Sequence, residues 1–319
     1  MPGTISIRCL SFFVGYRCNC KCPFCCVETL KGTDDQLLSV DEMKDIIDQG
    51  LKLGVVNVAL PGGEPLLYMD KLIPLIEYIK SKKALVTIPT TGLTIEKHMN
   101  ELVRAGVNNI FFSMGGIGEE HDRSRGVAGL FDKAMAGIER AREAGVFVAT
   151  RGIATKENLA DGSLERLIDY LAEHKLMLSA TPMYSGSVCN AEDAIEVIPD
   201  HLQKELLRLQ KEKKNFMLDT FGNIAYPACP AIREWITIMA DGEVVPCAGI
   251  MTSLGNLREH SLRDILAKGR SLPDFQKIEP RCRCGEDAEF CETWIRPIKG
   301  SPLPVRLEEH PRVDDIMAE

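Results

Sequence analysis

The chain has 319 residues, 45% of them hydrophobic, which is enough to bury the core of one large domain and a small one and excludes a disordered protein. Its 46 acidic residues outnumber 38 basic ones, and the net charge of -8 argues against a general nucleic-acid binder. No apolar run reaches the roughly 18 residues that span a bilayer, and Met1-Pro2-Gly3-Thr4 lacks the pattern of a secretory signal. The expectation is a cytoplasmic protein with no nucleic-acid and no membrane partner. In that reducing setting its cysteines are metal ligands rather than disulfides.

Residues 5–14 read as a buried strand that delivers the chain into Tyr16-Arg17-Cys18-Asn19-Cys20-Lys21-Cys22-Pro23-Phe24-Cys25-Cys26, which holds five of the twelve cysteines in eleven residues. Crowded thiolates repel unless something compensates them. The candidate occupants are a disulfide knot, zinc or an iron-sulfur cluster. Cys18, Cys22 and Cys25 stand in the spacing Cys-x3-Cys-x2-Cys, with Phe24 before the third. Three sulfurs so spaced hold three corners of a 4Fe-4S cube and leave one iron open.

This spacing resembles the signature of the radical S-adenosylmethionine (radical SAM) superfamily. The resemblance implies that the open iron chelates SAM and that electron transfer from the cluster cleaves it. The resulting 5'-deoxyadenosyl radical then abstracts hydrogen from a substrate. It also implies an electron donor of flavodoxin or ferredoxin type. The hard chemistry is the cofactor's, while the protein supplies position and shielding.

A helix follows. Ser39-Val40-Asp41-Glu42 is a capping box, and Met43, Ile46, Ile47, Gly50, Leu51 and Leu53 form an apolar face up to Gly54. The pattern of a helix, a glycine and a Val-rich strand recurs at Gly54-Val55, Gly106-Val107 and Gly145-Val146, with strands over 55–60, 107–113 and 146–152. Adding 85–89 and 176–182 makes about six strands. The fold class is therefore α/β, and the resemblance implies a partial (β/α)6 barrel with a small C-terminal α+β cluster-binding domain. Residues 1–215 form the barrel, 216–300 the auxiliary domain and 301–319 a tail.

In such folds the loops at the strand C-termini carry the chemistry. After the second strand, Gly62-Gly63-Glu64-Pro65 resembles the family's Gly-Gly-Glu-Pro motif, which binds the SAM amino group. Pro89-Thr90-Thr91-Gly92 ends the third strand. Phe112-Ser113-Met114-Gly115-Gly116 ends the fourth, followed by His121-Asp122-Arg123-Ser124-Arg125-Gly126. The resemblance puts Ser113 and Arg125 near the SAM ribose or carboxylate. Gly115 stands where relatives often carry an aspartate, so no acid function is expected there.

Beyond residue 215 come Cys229, Cys247, Cys282, Cys284 and Cys291. Asp241-Gly242 is a hairpin signal between the first two. The order Cys-x12-Gly-x4-Cys, then Gly255-Asn256-Leu257, a helix and clustered cysteines resembles the SPASM extension or its shorter twitch version. It departs from SPASM in ending Cys282-x-Cys284-x6-Cys291. The expectation is one auxiliary 4Fe-4S cluster on Cys229, Cys247 and two of the last three. A structural zinc knuckle is the competing occupant.

Cys189, after strand six, is a candidate hydrogen-atom donor to a substrate radical, with Tyr184 in the same loop as a second. The functional expectation is a radical SAM enzyme acting on a small polar metabolite, carbohydrate-like or nucleoside-like, by oxidation, epimerisation or related chemistry. Two alternatives stand beside it: a radical SAM maturase of peptides or proteins, and a non-enzymatic zinc protein.

Overall fold

A computed structural model describes residues 5–25, 27, 30, 36–182, 199–218, 229–279 and 282–318. The chain begins with β1 (Cys9–Phe12), α1 (Val40–Lys52), β2 (Asn57–Ala59), α2 (Met69–Ser81), β3 (Leu85–Thr90), α3 (Ile95–Ala105) and β4 (Asn109–Ser113). It continues through α4 (Glu119–Arg125), α5 (Leu130–Glu143), β5 (Phe147–Ala154), α6 (Lys156–Ala160), α7 (Ser163–Glu173), β6 (Leu178–Pro182), α8 (Asp200–Glu212) and β7 (Phe216–Leu218). The C-terminal part holds β8 (Trp235–Ile238), β9 (Glu243–Val245), β10 (Thr252–Ser253), β11 (Gly255–Asn256), α9 (Leu262–Ser271), α10 (Pro273–Gln276), α11 (Arg283–Glu286), α12 (Ala288–Trp294) and β12 (Val305–Arg306).

Local chemistry sets these boundaries. Ser39 caps α1, its hydroxyl accepting from the Glu42 N–H while the Glu42 carboxylate accepts from the Ser39 N–H. Gly106 closes α3 at φ 93°, a left-handed conformation that favours glycine. β1 to β7 run parallel in sequence order, as the expected partial barrel requires. Alternate residues of the strands, such as Leu10, Val58, Val86, Ile110 and Phe112, are buried with the helix residues Ile47, Leu72, Ile76, Leu102 and Ile138 in one core. The intervening residues line the inner face. There Asn109 Nδ2 donates to Thr87 Oγ1 (3.0 Å) and Thr87 Oγ1 to Asn57 Oδ1 (2.9 Å).

Two strands go beyond the sequence reading. β7 adds a seventh parallel strand at the edge of β6, in the stretch read as a boundary. β8 does form the expected hairpin with β9, but it also pairs in parallel with β1. An open barrel leaves β1 with a row of unpaired backbone groups, and β8 satisfies them. The final stretch packs down as well: β12 pairs with β10, and Ile316 is buried.

Candidate functional site

The turns after β1 and β2 are built into each other. The Gly63 N–H donates to the Gly15 carbonyl (3.0 Å) and the Glu64 N–H to the Arg17 carbonyl (2.8 Å). A Cβ on Gly63 would stand 2.3 Å from the Arg17 oxygen and 2.4 Å from the Tyr16 oxygen. Glycine is required there because two backbones meet. The Tyr68 hydroxyl accepts from the Arg17 N–H at 2.6 Å, and the Arg17 guanidinium lies 4.4 Å from the Tyr68 ring. On the other side, the buried Tyr16 hydroxyl accepts from the Ala240 N–H at 3.0 Å. Phe13, Tyr16, Val27 and Leu30 share an apolar cluster with Met239, Val245 and Met251. The cysteine loop is thus held between the β2 turn and the C-terminal domain.

Glu64 is fully buried beneath this loop. Its Oε1 accepts from Thr90 Oγ1 (2.7 Å) and the Leu66 N–H (3.3 Å), and its Oε2 from the Thr91 N–H and Oγ1 (both 2.8 Å). Burial pushes the carboxyl up, and the donors of Thr90, Thr91 and Leu66 oppose that shift. With four donors on two oxygens, the carboxylate ties the β2 turn to the end of β3. The spacing of the motif did not reveal the part of Thr90 and Thr91, because it depends on which strand lies beside β2.

Ser113 ends β4 on the inner face, half-buried. Arg125 has a different setting. One terminal nitrogen donates to Cys22 Sγ (3.7 Å), the guanidinium lies 5.2 Å from the Phe24 ring, and the Arg125 carbonyl accepts from the Lys21 N–H (2.8 Å). Arg125 is buried against the cysteine loop, and its Nε has no partner among the described residues. Gly126, at φ 67°, lets the end of α4 dock on Lys21.

Gly115 donates its N–H to His121 Nδ1 at 3.0 Å, so the ring proton sits on Nε2. Burial, with Arg125 adding to it, holds this histidine down to about 4 and therefore neutral. Gly115 is thus braced by a neutral imidazole.

The cysteines stand in two sets, and among the described residues no three metal-ligating side chains meet at the distances of a single bound ion. On the N-terminal loop, Cys18, Cys22 and Cys25 are half-buried, and the Cys20 N–H donates to Cys18 Sγ (3.4 Å). Cys20 itself is buried. Its thiol is pushed well up by Cys18 and by burial, with Cys22 contributing.

In the C-terminal set, Cys282 Sγ and Cys284 Sγ lie 3.5 Å apart. Cys247 shares a hydrogen bond with Cys284 and is held down by it, while burial and the same bond drive Cys284 up. Cys229 faces the same group: burial, then the charges of Cys282 and Cys247, push it up to about 12. Cys291 Sγ contacts the carbonyls of Arg283 (3.5 Å) and Cys284 (3.6 Å). Thiols gathered in this way, with Cys229 and Cys284 resisting ionisation on their own, fit a thiophilic cationic centre, which supplies the missing charge. Cys26, Cys189 and Tyr184 lie outside the described residues.

Comparison with known proteins bears on this geometry. The Radical SAM superfamily model matches residues 12–171, and that of the SPASM iron-sulfur cluster-binding domain matches residues 229–287. A Methanococcus maripaludis protein named "Probable GTP 3',8-cyclase" is 30% identical over 305 residues, covering 90% of this chain and 97% of that one. The PqqA peptide cyclase of Granulibacter bethesdensis is 26% identical over 298 residues, covering 87% and 77%. The Fe-coproporphyrin III synthase of Methanosarcina barkeri is 32% identical over 161 residues, and the match spans 40% of its length. Streptococcus suis SuiB, bound to its precursor peptide SuiA, shares the fold with TM-score 0.67 at 20% identity over 99% of this chain and 76% of that one. No helix among the described residues is long and apolar enough to cross a membrane. The family implies a SAM-binding 4Fe-4S cluster, SAM itself and auxiliary iron-sulfur chemistry. This chain belongs to the radical SAM superfamily and carries a SPASM iron-sulfur cluster-binding domain.

Proposed function

We propose that the protein is a radical SAM maturase of a peptide or protein, with residues 1–215 as the catalytic barrel and 216–300 as the auxiliary domain. In this reading Cys18, Cys22 and Cys25 hold the catalytic cluster, and Cys229, Cys247, Cys282 and Cys284 the auxiliary one. Gly62, Gly63, Pro65, Ser113 and Arg125 surround SAM, while Glu64 fixes the turn from below. When bound, cluster and SAM supply a 5'-deoxyadenosyl radical that takes a hydrogen atom from the substrate, fed by a flavodoxin or ferredoxin-type donor. The observation that carries the reading is the pair of backbone bonds, Gly63 to Gly15 and Glu64 to Arg17, which join the cysteine loop to the glycine turn at the strand ends.

The chain's own residues hold and shield. Tyr16 and Tyr68 fix the loop, Arg125 faces Cys22, and the inner face of the barrel receives the substrate. Cys189 and Tyr184 remain the candidate hydrogen donors.

Similarity to a peptide cyclase across most of both chains favours a peptide over the small polar metabolite expected from the sequence. The metabolite is the second reading, favoured by the GTP cyclase relative.

Iron and sulfide counts after anaerobic reconstitution test the ligand assignment. Two 4Fe-4S clusters predict about eight irons per chain, falling to about four when Cys18, Cys22 and Cys25 are replaced by Ala. C284S should lose a similar share and C291S none. Loss of iron in C291S but not in C284S would reverse the assignment. Reductant-dependent release of 5'-deoxyadenosine, faster with peptides than with nucleotides or sugars, supports the substrate reading, and the opposite order overturns it.

A further inference from the structure

The strands of the barrel carry a single charge. β1 to β8 contain no Asp, Glu or Lys, and Arg151 in β5 is their only charged side chain. Register places Ser113 of β4 opposite Arg151, and Arg151 opposite Ser179 of β6. One step further along, Ile153 stands opposite Thr181; one step back, Ala149 stands opposite Phe111. Side chains alternate along a strand. Phe112, Thr150, Gly152, Leu178 and Ala180 are buried on the helix side, so Ser113, Arg151, Ser179 and Thr181, all half-buried, share the inner face.

Arg151 also reaches inward. Its guanidinium lies 6.0 Å from the centroid of the Phe111 ring, a neighbour on the same face.

A guanidinium offers five N–H donors in a rigid fork that matches a carboxylate or phosphate, and flanking hydroxyls add further donors. We propose that Arg151, between Ser113 and Ser179, is the specificity-determining residue of the substrate chamber and receives an acidic group of the substrate. In the peptide reading this is an Asp or Glu side chain; a phosphate or carboxylate of a metabolite presents the same chemistry. The inference rests on the reading of the inner face as the substrate chamber. Arg151 is one strand from Ser113, so the bound acid would sit beside the SAM site and hold a neighbouring C–H bond within reach of the radical.

The test measures binding rather than turnover, so it is separable from the maturase reading, which deoxyadenosine release tests. Reconstituted protein with SAM bound is titrated calorimetrically with acetyl-Gly-Glu-Gly-amide, its Gln counterpart and inorganic pyrophosphate, in the wild-type, R151Q and R151K forms. The expected result is preferential binding of an acidic probe by wild type. R151Q should weaken it about tenfold or more and R151K less, with SAM affinity unchanged. Preference for the Glu peptide identifies a peptide acid, and preference for pyrophosphate a phosphorylated metabolite. The proposal fails if wild type binds acidic and neutral probes alike. It also fails if R151Q weakens SAM instead, which would assign Arg151 to the SAM carboxylate. Should R151Q not fold, comparison of R151K with R151M decides by the same criteria.

Discussion

Replacing Glu64 with Gln tests how the glycine turn after β2, proposed to face SAM, is held. The carboxylate receives four hydrogen bonds, two on each oxygen. An amide accepts on one oxygen only and turns its NH2 toward the other two donors. Buried hydrogen bonds to a charged acceptor are worth about 1.5–3 kcal/mol each, so losing two costs on the order of 3–6 kcal/mol. That is a large share of the 5–15 kcal/mol typical of a folded protein. Because the network joins the β2 turn to the end of β3, the loss should appear as a lower melting temperature and SAM binding weakened by about tenfold or more. T91V keeps the Thr91 N–H bond and loses one hydroxyl bond, so it should fall between the two forms. Equilibrium dialysis of labelled SAM against the reconstituted protein, with a thermal melt of each variant, measures both effects. If E64Q binds SAM and melts like wild type, the carboxyl is protonated or its network does not hold the turn, and the argument is wrong.

G63A should fail to assemble the catalytic cluster, since its Cβ would press within 2.3 Å of the Arg17 carbonyl; iron should drop to what the auxiliary domain retains, and a full iron complement would contradict the steric argument. Y16F leaves the buried Ala240 N–H without its acceptor, which should destabilise the protein by about 1–3 kcal/mol, seen as a lower thermal midpoint. His121 predicts a pH dependence. Its folded value is depressed from 6.5 to about 4, so the unfolded chain takes up the proton first. The contribution to stability is present above pH 6.5 and is lost as pH falls toward 4. Between pH 7 and 5 the loss is roughly 2 kcal/mol. Unfolding in urea at both pH values should show a flatter pH dependence for H121N, and equal slopes would refute the assignment.

Much of the catalytic half is legible locally. The Cys18, Cys22 and Cys25 register and the helix-glycine-strand repeats require only residues close in sequence. Ligand spacing around one cluster and the left-handed stop at Gly106 are properties of a single turn. The capping box at Ser39 and the Asp241-Gly242 hairpin belong to the same class, and both appear where the residues place them.

Which residues meet across the fold was decided elsewhere. Cys284 meets both Cys282 and Cys247, and Cys291 lies on the carbonyls of Arg283 and Cys284, because α11 and α12 pack together beyond the hairpin. Glu64 meets Thr90 and Thr91 because β3 lies beside β2, and Arg125 meets Cys22 because α4 folds back on the cysteine loop. β8 joins the barrel because β1 would otherwise expose an unpaired edge. Arg151 stands level with Ser113 and Ser179 only through the register of three parallel strands. Motif spacing and turn chemistry act over a few residues, so the sequence alone determined the cofactor family and the barrel repeat. Strand register and long-range packing couple residues far apart in the chain, so the tertiary structure alone decided the partners at the site.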